Sequence, residues 1–286
     1  MTWQTLLLAA LAQWAALAAI MAVGWYAWTR TRNSGWVDVT WTFAVGLVGA
    51  ASTLAPIGPD DWCLNRIVAA AMIIAWAMRL GLYIADRTAG VSDDPRYAKF
   101  IEGWGDAAPR NMFWFLQAQA FFAMPLTLAV TLAAINPAPF WSVGPVLGLA
   151  LFATGIIGST LSDRHLARFK VAKQAGTTDA VICDSGLWAW SRHPNYFFET
   201  VIWTSYAVFA LDFTSGWAWG YVAFVAPICI YWLLRYVSGV PPLEEHMVAR
   251  YGDAYRAYQR RVSVFVPLPP GERRTGVPRV FSNSEG

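Results

Sequence analysis

The chain has 286 residues, 57% of them hydrophobic and only 14% charged, with 17 tryptophans and a formal net charge of +3. Soluble domains carry about 25% charged residues, so this composition excludes an ordinary soluble domain and points to an all-α, polytopic membrane protein. Cys63, Cys183 and Cys229 are scattered without a CxxC pair and there are three histidines, so neither a disulfide framework nor a metal site is expected, and no nucleic-acid partner either.

The opening stretch MTWQTLLLAALAQW has no positively charged n-region and no A-x-A cleavage site, and reads as a first membrane span. Seven apolar stretches follow one another at roughly 5–28, 35–57, 66–86, 112–135, 140–161, 196–213 and 216–236. In lipid they must be helices, because open strands would leave backbone groups unpaired. With the N-terminus outside, the cytoplasmic segments hold 19 of the 21 lysines and arginines, all but Arg66 and Arg79. The positive-inside rule therefore gives seven spans with the C-terminus in the cytoplasm, and a bacterial inner membrane is the expected location. The long polar segments 87–111 and 162–195 lie on that side, where function is expected.

After Pro241-Pro242 and Glu244-Glu245, arginines interleaved with Tyr251, Tyr255 and Tyr258 suit a helix at the headgroups over about 242–262. One domain is expected over 1–267, with 268–286 a disordered tail. No Gly-x-Gly-x-x-Gly follows a strand, so a nucleotide would not be held by a Rossmann unit.

Charges within a bilayer cost about 2.5–3.5 kcal/mol each on insertion scales, so those inside the spans carry information. They are Asp38, Arg79, Asp86, Asp163, Glu199 and Arg235, with Gln117, Gln119 and Asn195 beside them. In the seven-span topology all fall in the cytoplasmic half. Those at span ends read equally well as interfacial residues. Asp38, Arg79 and Glu199 are too deep for that and point to a buried polar cavity, with Asp38 and Arg79 as a candidate ion pair. Arg79 and Tyr83, Arg192 and Tyr196, and Asn195 and Glu199 are each four residues apart and share helix faces. Such a cavity, walled by tryptophan, suits a flat apolar ligand together with a polyanion.

The stretch GLWAWSRHPNYFFETVIW (186–203) resembles the signature of membrane proteins related to steroid 5-alpha-reductases. LSDRHLARFK (161–170), RLGLYIADRTAGVSDDPRY (79–97) and GVPPLEEHMVARYGDAYRAYQRRVSVFVP (239–267) resemble segments of that family's bacterial branch, long carried as a domain of unknown function. The Arg-His-Pro core also occurs in isoprenylcysteine methyltransferases. The resemblance implies a seven-helix reductase that takes NADPH from the cytoplasm and reduces an activated carbon–carbon double bond of a steroid-like or other enone lipid. It implies cofactor contacts at Asp163, Lys170, Asn195, Glu199 and Arg235. Arg168, Lys170, Lys173 and Arg192 are expected at the phosphates, since arginine forks suit phosphate oxygens, and Tyr196 joins them on the Arg192 face. His193 is either a loop residue fixed by Pro194 or a cofactor contact. The family's catalytic tyrosine matches no residue cleanly: Trp76 aligns nearest and Tyr83 is the closest phenol. Tyr83 polarised by Asp38, or a protonated Asp38, is the expected donor to the developing oxyanion, with Arg79 beside them. Trp41, Trp76 and Gln117 are the expected substrate contacts. An S-adenosylmethionine-dependent lipid methyltransferase and a non-enzymatic lipid-binding protein stay open as alternatives.

Overall fold

The computed structural model describes residues 1–57, 64–89, 95–214 and 216–270, the side chains of residues 95, 96 and 99 excepted. Cys63 and the tail beyond residue 270 lie outside them.

Ten α-helices account for most of the described chain: α1 Trp3–Thr31, α2 Gly35–Ser52, α3 Leu64–Ala89, α4 Pro95–Trp104, α5 Ala108–Ala134, α6 Val143–Gln174, α7 Pro194–Phe209, α8 Val225–Trp232, α9 Val240–Tyr251 and α10 Asp253–Arg261. A 3-10 turn over Ala218–Phe224 leads into α8, and a π-helical turn over Leu233–Val237 leaves it. No strand is formed among the described residues; one isolated bridge joins Ser191 to Ser263.

Each of the seven apolar stretches is helical. Five helical stretches are long and apolar enough to cross a membrane: Trp3–Thr31, Leu64–Ala89, Phe100–Ala134, Val143–Gln174 and Ala218–Tyr251. In the last of these the apolar part ends before Ser238, and α9 is polar. α2 and α7 have 18 and 16 residues. At 1.5 Å per residue they measure about 27 and 24 Å, short of a hydrocarbon core of about 30 Å. Leu7, Leu8, Val23, Leu47, Ile67, Ile74, Leu147, Ile157 and Ile228 stand exposed on the flanks. Apolar side chains lining the outside of long helices belong against lipid rather than water.

Local chemistry sets the boundaries. The Thr2 hydroxyl accepts from the Thr5 amide and opens α1, and Arg32, with φ 56°, closes it in a left-handed turn. Pro109 and Pro194 sit in the first turns of α5 and α7, where a missing N–H costs nothing.

Small residues decide the helix pairing. Gly144, Gly148, Gly155 and Gly158 of α6 form a stripe against α7, where an added methyl would collide with Leu211, Phe209, Ile202 and Phe198 in turn. Gly46, Gly49 and Gly81 do the same between α2 and α3, against Ala77, Ile73 and Phe43. Close backbone approach gains dispersion contacts, which drive helix association where lipid removes the hydrophobic drive. The centre is dry and aromatic: Leu17, Met21, Ile73, Trp76, Met112, Leu116, Trp203, Tyr206 and Phe209 have no exposed surface.

Two expectations need correction. The polar segment 87–111 contains α4, which brings Tyr97 into the interior. The single headgroup helix over 242–262 is two helices, broken at Gly252 with φ 53°. They do not lie free: Tyr255 and Tyr258 are buried, and the Tyr258 hydroxyl donates to the Trp188 carbonyl.

Candidate functional site

A cavity of about 490 Å³ lies between α2, α3, α5, α6, α7 and the α8–π segment. That volume is in the range of small-molecule sites. Its apolar lining is formed by Trp41, Phe115, Phe122, Ile230, Leu233 and Leu234. Its polar lining carries Asp38, Arg79, Tyr83, Asp163, Asn195, Tyr196 and Glu199. Eight of the residues expected from sequence therefore share one space, delivered by four helices far apart in the chain.

Three clusters hold the polar lining. Arg79 is ion-paired with Asp163, tying α3 to α6. The expected Asp38–Arg79 pair does not form. Asp38 instead accepts from the Tyr97 hydroxyl at 2.7 Å, and the Gln119 amide donates to that same hydroxyl at 3.2 Å. Glu199 Oε1 accepts from two indoles, Trp76 at 2.6 Å and Trp203 at 3.0 Å. Glu199 Oε2 takes no hydrogen bond from the described residues. A carboxylate among apolar residues is thus held by two tryptophans with one oxygen left for the cavity, where Glu199 keeps its accessible surface. The Tyr83 hydroxyl likewise bonds to no described residue and borders the cavity.

Toward the far ends of α3 and α6 stand two cations. Arg87, on the face of Arg79 and Tyr83, borders the cavity mouth, and Lys170 lies within electrostatic reach of Arg87 and Asp163.

Several expected residues sit elsewhere. Trp76 is fully buried behind Glu199 and reaches the cavity only through it. Gln117 turns to α1 and donates to the Ala18 carbonyl at 3.3 Å, while Gln119 faces the site. Arg168, Lys170 and Asp86 are exposed and border no part of the cavity. Arg235 packs its guanidinium 4.9 Å above the Tyr236 ring, and Lys173 donates to the Val181 carbonyl at 2.8 Å.

Arg192 and His193 are also elsewhere. Arg192 donates to both oxygens of Glu244, at 2.6 and 3.2 Å, and to the carbonyls of Gln259 and Val262 at 3.0 and 2.7 Å. His193 Nε2 lies 3.1 Å from Glu244 Oε1. Burial alone would push the Glu244 carboxyl up, but His193, Arg192 and Gln259 together outweigh it and hold it at about 2. Burial keeps the His193 imidazole below its ordinary value despite Glu244. Burial and the Glu244 charge raise Tyr255, and burial and Tyr255 raise Tyr258. Arg192 is therefore a fastener of the C-terminal helices, with no fork left for a phosphate.

Sequence reasoning missed Tyr97, Arg87 and Glu244 as parts of this region. Arg87 was within reach, two turns beyond Arg79 on one face; Glu244 is 52 residues from Arg192 and carries no periodic signal.

The family described as "Protein of unknown function (DUF1295)" matches residues 24–262, which takes in every element bordering the cavity. The chain belongs to the DUF1295 family. The DUF1295 chain is also 33% identical over 88 residues to the uncharacterized protein C594.04c of Schizosaccharomyces pombe. That match covers 30% of the DUF1295 chain and 24% of the length of the yeast protein. No solved structure matches it.

Proposed function

We propose that the protein is an NADPH-dependent membrane reductase that saturates an activated carbon–carbon double bond of an apolar, enone-type lipid. One observation carries the reading: a single cavity is lined by large apolar side chains together with amide, carboxylate, phenol and guanidinium groups. The resemblance of residues 186–203 to the steroid 5-alpha-reductase signature supports it. The distribution of lysine and arginine supports seven crossings, with α2 and α7 completing the five longer stretches and the cavity opening on the cytoplasmic side.

The donor set fits the nicotinamide end of the cofactor. Asn195 both donates and accepts, and Glu199 keeps one oxygen for a ligand N–H or O–H. Arg87, which borders the cavity, is the cation suited to the phosphates, with Lys170 beyond it on α6 and outside the lining. When bound, NADPH supplies the hydride for the electron-poor carbon. The chain's own residues do the rest. Trp41, Phe115, Phe122 and Leu233 seat the lipid and exclude water. Tyr83 aims a phenolic proton at the conjugated oxygen, where negative charge develops, and delivers it there to give the enol, which returns to the ketone. Arg79, fixed by Asp163, stands one turn from Tyr83 and offsets the charge of its phenolate.

Thermal shift of the full chain in detergent tests this. A ligand that binds only the folded state raises its stability by RT ln(1 + L/Kd) at free ligand concentration L, so the midpoint climbs with ligand concentration. NADPH is expected to raise the midpoint, and Asn195→Ala and Glu199→Ala to abolish the rise. Stabilisation by S-adenosylmethionine and not by NADPH overturns the reading in favour of methyl transfer.

A further inference from the structure

Among the described residues, Glu244 is the most heavily bonded side chain outside the cavity. Its carboxylate accepts from Arg192 twice, from His193, from the Tyr255 hydroxyl at 3.4 Å and from the Gln259 amide at 2.8 Å. These donors come from both sides of a gap of some sixty residues, the loop before α7 and helix α10. The backbone repeats the join. The Arg192 amide donates to the Ser263 carbonyl at 2.8 Å, the Leu268 amide to the Trp190 carbonyl at 3.0 Å, and the Ser191 hydroxyl to the Phe265 carbonyl at 2.7 Å.

The join reaches the cavity through one ring. His193 is 1% exposed and its imidazole lies parallel to the Tyr196 ring, 5.4 Å between centroids and 7° between planes. Tyr196 and its neighbour Asn195 border the cavity. The remaining ring nitrogen, His193 Nδ1, is buried and bonds to nothing described. Among the described residues Glu244 is then the one hydrogen-bond partner of the ring, and it sets the orientation of a ring against which a cavity residue lies.

We propose that Glu244 is a positioning residue for the cavity. By holding Arg192 and His193 it sets the first turn of α7, and through the His193 ring it sets Tyr196 and Asn195. The C-terminal helices are then a brace of the binding site, and the Arg-His pair of the 191–203 motif serves binding without touching the ligand. This rests on the reading of the cavity as an NADPH site.

The test uses the full chain in lipid nanodiscs with NADPH as the probe. Two measurements are made: the NADPH dissociation constant, and hydrogen exchange over a peptide covering 191–203. Glu244→Gln keeps the shape but turns a donor, its amide NH2, toward the donors of Arg192 or Gln259. It is expected to speed exchange over that peptide and weaken NADPH at least tenfold, with exchange in α1 and α2 unchanged. His193→Phe keeps a ring against Tyr196 but loses the bond to Glu244, so its affinity is expected to fall, though by less than that of His193→Ala, which removes the ring as well and is expected to lose at least tenfold. A role confined to fastening the C-terminus would move the two His193 variants alike. Equal affinities for Phe and Ala at 193 therefore overturn the proposal even if Glu244→Gln does not fold, as does a folded Glu244→Gln with unchanged affinity. If the wild-type chain binds no NADPH, the cavity reading fails by itself. Exchange over 191–203 then decides the brace, unchanged rates in Glu244→Gln and His193→Ala overturning it and faster rates in both upholding it.

Discussion

The two ends of the bundle handle buried polar groups differently. At the end where α3 begins and α5 and α7 finish, side chains bind backbone. Arg66 donates to the carbonyls of Thr53, Ala55 and Ile57 at 2.8, 2.9 and 2.6 Å. Asn65 donates to Asn136 and Ala138, and Asn136 to Phe209 and Leu211. These donors pair the carbonyls left open at helix ends and close that end. At the cavity end, side chains bind one another: Arg79 with Asp163, Tyr97 with Asp38, and two indoles with Glu199. They also leave polar surface facing a void. A buried polar residue bound to backbone completes the fold; one held by other side chains around a space prepares a ligand site.

The Arg79–Asp163 pair tests this contrast most strongly. Its side chains are 16% and 9% exposed. Arg79→Leu leaves Asp163 charged and unmatched, a loss of about 3–5 kcal/mol for a buried pair, read as a large fall in the thermal midpoint in detergent. Adding Asp163→Leu is expected to restore most of the stability and none of the NADPH binding. Recovery of binding in the double variant would place the pair with the closed end, as fold alone.

Acid probes a third region, the Glu244 junction. Glu244 is lowered from 4.5 to about 2, so its contribution is complete above pH 4.5 and lost as pH falls toward 2. At 1.36 kcal/mol per unit this is about 3 kcal/mol at most. His193 is also lowered, so its contribution is complete above 6.5 and falls below that pH. Both therefore predict a thermal midpoint that drops from pH 7 downward, in two limbs. Glu244→Gln is expected to erase the lower limb; if that limb persists, Glu244 is not its source.

Asn136 tests the closed end. Asn136→Ala orphans the carbonyls of Phe209 and Leu211 and the Ala138 amide, which bonds Asn136 Oδ1 at 3.0 Å. A loss of about 2 kcal/mol is expected, with the NADPH dissociation constant unchanged. A weakened constant would show that the two ends are coupled.

How much of this was legible in the sequence follows from what each signal measures. Hydropathy marks where a helix runs, and all seven apolar stretches are helical. Placing Asp38, Arg79, Asp163 and Glu199 at one depth gathered residues that do share a cavity. Depth carries no azimuth, however. Asp38 and Asp163 were equally good partners for Arg79 by depth, and the packing of α3 on α6 selects Asp163. Gln117 and Gln119, two residues apart, point about 200° apart on a helix of 3.6 residues per turn, and only the second reaches the site. Tyr97 was hidden because α4 lies in a segment polar enough to read as loop. Arg192 looked like a phosphate ligand because its partner Glu244 lies in another segment, and such pairings leave no local trace.

Trp76 gives the smallest effect and the finest discrimination. By alignment it stands nearest a catalytic tyrosine, yet its ring is buried and its N–H ends on Glu199 Oε1. A proton donor must reach the reacting atoms, and this one reaches a carboxylate instead. Trp76→Phe keeps a ring in the T-shaped contacts with Trp41 and Trp203, at 6.3 and 5.0 Å, and removes one of the two donors on that oxygen. Trp203 still holds Glu199 at 3.0 Å, so the carboxylate loosens without being released. The loss of one hydrogen bond to a charged group, about 1.5 kcal/mol, predicts roughly tenfold weaker NADPH binding. Turnover at saturating NADPH should fall little. A Phe variant that binds normally but loses turnover by orders of magnitude would give Trp76 a chemical role that its position behind Glu199 does not support.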